Sequence, residues 1–148
     1  MFALRSSSSL LRTVRPALAA RLYATKPDVS FEELRKIIHG VTNTDYVLID
    51  VREPHEVANG KVPTATNIPL GEVADAFALP KDLFKSKYGI EKPTGKQETI
   101  FYCRSGVRSQ KAIDAVEKAH SAELVTRNYR GSWLNYSENA LGNKSLTE

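Results

Sequence analysis

Three short segments constrain this chain more than anything else in it: "YVLIDV" at 46–51, "TIFYC" at 99–103 and "ELVTRNY" at 123–129. The first two are nearly continuous runs of β-branched, aliphatic and aromatic residues, the pattern of a strand covered on both faces. A strand covered on both faces needs helices above and below it, and stretches of helical periodicity lie between these runs. Strands alternating with helices predict an α/β fold, a mostly parallel sheet flanked by helices in three layers.

The helices carry their own signals. In "VSFEELRKIIHG", Ser30 is an N-cap with Glu33 three residues on, a capping-box pattern, followed by Leu34, Ile37 and Ile38 at helical spacing and a Gly40 stop. "EPHEVANGKVPTATNIPL" is broken by prolines and Gly60, so it reads as loop, with a helical turn after Pro54 and a short strand near Thr66 to Ile68. "GEVADAFAL" and "PKDLFKSKYG" give two helical patterns split at Pro80, the second ending at Gly89. From Ser109, "SQKAIDAVEKAH" places Ala112, Ile113, Val116 and Ala119 on one stripe, and "GSWLNYSEN" opens a last short helix. No repeat interrupts residues 29–141, which are expected to form one domain between a flexible 24–28 segment and a loose 142–148 tail.

The net charge of +4 suggests a nucleic-acid partner until it is located. Arg5, Arg12, Arg15 and Arg21 all fall in residues 1–23, which hold no acid, and without them the chain has 17 basic and 17 acidic residues. No nucleic-acid partner is therefore expected. The same stretch is rich in arginine and serine, the composition of a mitochondrial transit peptide, with a cut between Tyr23 and Ala24. A basic tail without a targeting role is the other reading; targeting implies a mitochondrial destination, the matrix, only through its composition. No apolar run approaches the roughly 18 residues that span a bilayer, so no membrane partner is expected.

Cys103 is the only cysteine, so no internal disulfide is available. It ends a predicted central strand, and only "CRSGVR" separates it from the helix expected at Ser109. In open α/β sheets ligands bind beyond the carboxyl ends of strands, where the next helix presents unpaired N–H groups and the positive end of its dipole. Gly106 can adopt the positive φ that lets a short loop converge its N–H groups on one point, and the charged residues between Glu98 and Asp114 are Arg104, Arg108 and Lys111. Such surroundings favour a thiolate over a thiol and make Cys103 the candidate nucleophile. The plain alternative is a small apolar residue finishing a strand.

"CRSGVRS" resembles the six-residue active-site loop of the single-domain rhodanese sulfurtransferases. "LIDVREPHEVANGKVPTATNIPL" (48–70) is similar to that family's upstream signature, and "YRGSWLNY" (129–136) to its closing Gly-Gly-Trp segment. The overall pattern is similar to small mitochondrial thiosulfate sulfurtransferases of fungi. Two positions depart from the family: Lys61 stands where histidine is common, and Ser132 replaces the second glycine of the closing motif, at what is expected to be the pocket rim rather than the loop.

The resemblance implies a rhodanese-like fold and a thiosulfate sulfurtransferase working through a Cys103 persulfide, cradled by residues Arg104, Ser105, Gly106, Val107 and Arg108. Arg104 and Arg108 are assigned to donor binding, although Arg108 is equally placed to pair with Asp50 or Glu53. Asp50, Arg52 and Ser109 are expected to support the loop, and Trp133 to serve as a core anchor or pocket wall. The implied donor is thiosulfate or glutathione persulfide, and the acceptor is cyanide in an assay or a thiol such as glutathione or thioredoxin. No cofactor is expected, and no metal: His39, His55 and His120 are scattered without ligand spacing to Cys103. Nothing suggests a coiled coil, and a monomer is expected. A non-catalytic persulfide carrier is the alternative from another class. Cysteine phosphatases and arsenate reductases carry arginine six positions after cysteine, where this chain has Ser109.

Overall fold

The computed structural model describes residues 26–120 and 124–141; the expected presequence and C-terminal tail lie outside them. Its elements are α1 (Phe31–Ile38), β1 (Tyr46–Asp50), α2 (Pro54–Val57), β2 (Thr66–Asn67), α3 (Leu70–Ala78), α4 (Lys81–Tyr88), β3 (Glu98–Tyr102), α5 (Val107–His120), β4 (Val125–Asn128) and α6 (Ser132–Tyr136), with a π-helical turn at Ser137–Leu141. The four strands form one parallel sheet in the order β2-β1-β3-β4. Among the described residues, no helix is long and apolar enough to cross a membrane.

Side chains alternate along each strand and feed two cores. Ile49, Val51, Phe101 and Cys103 face α3, α4 and α5, where they meet Val73, Phe77, Phe84, Ala112, Ile113 and Val116. Leu48, Ile100 and Tyr102 face the other way, onto Leu34 and Ile37 of α1 and Tyr136 of α6. Burying each such aliphatic or aromatic side chain contributes about 1.5–3 kcal/mol, which explains why β1 and β3 tolerate so little polarity. Ala119, expected on the buried stripe of α5, is exposed.

Several local expectations change in detail. Ser30 caps α1 by accepting the Glu33 N–H at 3.1 Å, but the reciprocal half of the box is missing. The Glu33 carboxylate is drawn instead to Arg127, whose terminal nitrogens donate to it at 2.7 and 2.9 Å. Pro27 and Asp28, within the segment expected from sequence to be flexible, accept from the same arginine through their carbonyls. Helix α5 starts at Val107, two residues before the expected Ser109, so the cysteine loop is shorter than its sequence suggested.

Register decides where the site lies. Asp50 at the end of β1 is level with Tyr102 at the end of β3, and Phe101 with Asn128 of β4. Pairing continues past the strands, with the Val51 N–H on Tyr102 O and the Tyr129 N–H on Phe101 O, both at 2.9 Å. The 51–53 turn, the Cys103 loop and the 129–132 turn thus emerge side by side at the carboxyl edge of the sheet, where ligands bind in folds of this kind.

Candidate active site

The turn after β1 is held by a buried charge pair. Arg52 and Asp50 are 2 % and 0 % exposed, and Arg52 donates to the carboxylate through Nε at 3.0 Å and Nη2 at 2.7 Å. The Tyr102 hydroxyl donates to Asp50 at 2.7 Å and accepts the Val62 N–H at 3.0 Å; Arg52 also donates to the Gly60 carbonyl at 2.8 Å. Burial alone pulls the Arg52 guanidinium down, but the Asp50 carboxylate outweighs it and the arginine is held charged. Neither residue touches the sulfur. Trp133 lies between them and the loop: its ring lies under the Arg52 guanidinium at 4.9 Å and its backbone N–H donates to the Cys103 carbonyl at 2.9 Å. Lys61 stays outside this network and donates to the Ala65 carbonyl at 3.0 Å.

The loop itself curls around one atom. The Gly106 N–H donates to Cys103 Sγ at 3.1 Å and the Ser109 N–H at 3.4 Å, while the Sγ–H can donate to Ser109 Oγ at 3.6 Å. Gly106 has φ +93°, and a Cβ there would lie 2.4 Å from the Arg130 carbonyl oxygen, so no other residue fits. Cys103 is 1 % exposed. Burial pushes its thiol up, but contacts with the Ser109 hydroxyl and with the N–H groups of Ser109, Gly106 and Ser105 outweigh it, leaving the thiol below its ordinary value.

The structure places three of the expected cradle residues away from the sulfur's own hydrogen bonds. Arg108 pairs with neither Asp50 nor Glu53: both terminal nitrogens donate to Glu56, each at 2.8 Å. This pairing raises the Arg108 pKa further and holds the Glu56 carboxyl down at about 2. Arg104 is exposed, and among the described residues its guanidinium has no hydrogen-bond or ion-pair partner. Val107 opens α5 with its side chain exposed, so any part it plays at the loop falls to its main chain. Ser109 does more than support the loop, since both its N–H and its hydroxyl face the sulfur.

Two residues that complete the site, Asn128 and Glu56, were not singled out by sequence, and a third, Ser132, was placed elsewhere. Asn128 accepts the Ser109 hydroxyl at 2.7 Å, and its amide nitrogen reaches the Gly106 carbonyl at 3.3 Å. Glu56 carried a faint signal, an acid in the first turn of a Pro-initiated helix. Ser132 corrects its expected place at the rim: it is fully buried, accepts the Cys103 N–H at 3.1 Å and lies 4.0 Å from the sulfur. Among the described residues, no group of three histidine, cysteine or acidic side chains could hold a metal ion.

A thiol ringed by main-chain donors where a parallel strand passes into a helix defines a cysteine-loop α/β domain. The chain belongs to the rhodanese-like family, whose model matches residues 30–139. It is 38 % identical to the mitochondrial thiosulfate sulfurtransferase RDL2 of Saccharomyces cerevisiae, over 72 % of this chain and 74 % of that one. It is 33 % identical to the human thiosulfate:glutathione sulfurtransferase, over 78 % of this chain and 96 % of that one. The solved human single-domain sulfurtransferase TSTD1 superposes with a TM-score of 0.69 at 31 % identity, covering 78 % of this chain and 98 % of its own.

Proposed function

We propose that this chain is a thiosulfate sulfurtransferase that carries sulfane sulfur on Cys103 and delivers it to a thiol. The Cys103 thiolate attacks the outer sulfur of thiosulfate. The S–S bond of the donor breaks, its electron pair leaves with sulfite, and Cys103 is left as an anionic persulfide. The N–H groups of Ser105, Gly106 and Ser109 stabilise the charge on the bound sulfur as an oxyanion hole stabilises oxygen. A thiolate such as that of glutathione then takes the outer sulfur as a persulfide and regenerates the Cys103 thiolate; cyanide would leave as thiocyanate. With a single cysteine in the chain, the acceptor comes from outside.

The observation that carries this reading is the Gly106 N–H donating to Cys103 Sγ at 3.1 Å inside a loop that fits a sulfur atom. Arg108 has both terminal nitrogens committed to Glu56, which leaves no free fork for the tetrahedral oxyanion of a phosphatase or arsenate reductase. Arg104, exposed and with no partner for its guanidinium among the described residues, is the donor-binding cation, while Arg108 and Glu56 brace the loop and Asp50 and Arg52 brace the turn beside it. The names of the thiosulfate sulfurtransferase relatives support thiosulfate as donor and glutathione as acceptor. The acid-free, arginine-rich residues 1–23 and the mitochondrial relative support a mitochondrial location, and we place the protein in the matrix.

Steady-state turnover of the purified chain with thiosulfate, using cyanide and then glutathione as acceptor, tests this. Multiple turnovers with sulfite release, lost in Cys103→Ala, are expected. One equivalent of sulfite without turnover would make the chain a carrier, and no sulfite at all would remove thiosulfate as donor.

A further inference from the structure

Ser132 is the residue at which this chain departs from the glycine of the closing motif, and its backbone shows why glycine suits the position. Its φ is +58°, the left-handed region that an L side chain adopts at a cost. The side chain responsible is fully buried against Cys103. Its oxygen accepts the Cys103 N–H at 3.1 Å, and its proton goes to the Tyr129 carbonyl at 2.8 Å.

That proton is not needed where it sits. The Tyr129 carbonyl also accepts the Ser132 backbone N–H at 3.0 Å, so turning the hydroxyl away leaves the carbonyl satisfied. A hydroxyl has one donor and a freely turning hydrogen, and Cys103 Sγ lies 4.0 Å away. Ser109 is in the opposite position. Its hydroxyl proton is held by Asn128 Oδ1 at 2.7 Å, and the Asn128 amide is oriented by the Gly106 carbonyl and Gln110, so Ser109 favours a thiolate freely through its N–H, whereas turning its hydroxyl to the sulfur gives up a buried acceptor.

We propose that Ser132 is a positioning residue of the sulfur-transfer site, its hydroxyl fixing the Cys103 main chain while supplying a switchable donor to the cysteine sulfur when that sulfur is charged. This rests on the persulfide reading given above. A glycine at 132 would relax the backbone and leave the Cys103 N–H without this partner. The charged groups on the elements around the sulfur are Arg104 of the loop, Arg108 of α5 with Glu56 of α2, Arg130 packed on Gly106 and paired with Asp28, and the Asp50–Arg52 pair beyond Tyr102 and Trp133. None is altered by a change at Ser132.

Two substitutions separate the hydroxyl from the strain. Ser132→Gly removes both, whereas Ser132→Ala removes the hydroxyl and keeps the left-handed backbone, so the glycine variant should melt above the alanine variant. The rate of Cys103 alkylation by iodoacetamide is measured against pH in wild type and both variants, beside kcat/KM for thiosulfate. The expected result is the same displacement of the alkylation profile to higher pH in both variants, with a three- to tenfold fall in kcat/KM (about one hydrogen bond's worth) despite their different melting temperatures. An alkylation profile unchanged from wild type, with activity following melting temperature alone, would overturn the role of the hydroxyl. A wild-type Cys103 that alkylates only at the pH of an ordinary thiol would instead overturn the persulfide reading on which it rests.

Discussion

Arg108 and Glu56 meet fork to fork: each terminal guanidinium nitrogen donates to one carboxylate oxygen at 2.8 Å. The same carboxylate accepts the Glu53 N–H at 3.0 Å, so one acid ties the first turn of α5 to the turn that follows β1. The arginine that looks like a substrate ligand in the sequence spends both terminal nitrogens on this brace between the two turns.

Replacing Glu56 with glutamine removes that brace without changing the shape of the side chain. Urea denaturation of Glu56→Gln at neutral pH is expected to show a loss of about 1–2 kcal/mol, because the pair is bidentate and only partly exposed. No loss of stability would show that the pair is held by the fold rather than holding it.

The same carboxylate makes a signed pH prediction. Glu56 is held at about 2 against an ordinary 4.5, so its folded value lies below its unfolded one. Its contribution is therefore complete above about pH 4.5 and fades as the pH falls toward 2. Wild type should lose stability across that window, and Glu56→Gln should lose roughly 1 kcal/mol less over the same range once solvent screening is allowed for. Parallel losses in the two proteins would contradict the assignment.

At Gly106, alanine meets two obstacles at once: a positive φ and the Arg130 carbonyl 2.4 Å from the new methyl carbon. Gly106→Ala is expected to cost about 2–4 kcal/mol and to reduce sulfite release by at least about tenfold, since Gly106 also supplies the 3.1 Å donor to the sulfur. Near-normal melting and turnover would mean that the loop is far more compliant than its geometry indicates.

Asp50→Asn leaves the Arg52 guanidinium buried opposite a neutral amide. Removing one partner of a buried pair costs about 3–5 kcal/mol, so the variant should unfold at markedly lower urea concentration. Arg104→Ala should do the reverse, raising KM for thiosulfate several-fold with unchanged stability and a weaker dependence on salt. A destabilised Arg104→Ala would show that its exposed guanidinium has a structural duty.

The sheet was legible in the sequence because burial on both faces writes itself into consecutive residues, as "LID" and "IFY" do in β1 and β3. The cysteine loop was legible for the same local reason, with strand, glycine, arginines and helix inside a dozen positions. The bonds that complete the site were not, since they join segments far apart in the chain. Glu56 reaches Arg108 across 52 positions and Ser132 reaches Cys103 across 29, and no periodicity records such meetings. The missing half of the Ser30 box failed for a related reason, because Glu33 had a stronger partner in Arg127 on a distant strand. At Ser132 the sequence did flag an oddity, a side chain where glycine was expected, but only the backbone φ and the 3.1 Å bond to Cys103 give it meaning.

Intact-mass measurement of the reduced chain after a brief incubation with thiosulfate, in the absence of any acceptor, tests the central claim most directly. A gain of one sulfur atom is expected, mapped to Cys103, discharged by cyanide or glutathione and absent from Cys103→Ala. An unchanged mass in wild-type protein whose Cys103 still alkylates readily would contradict it.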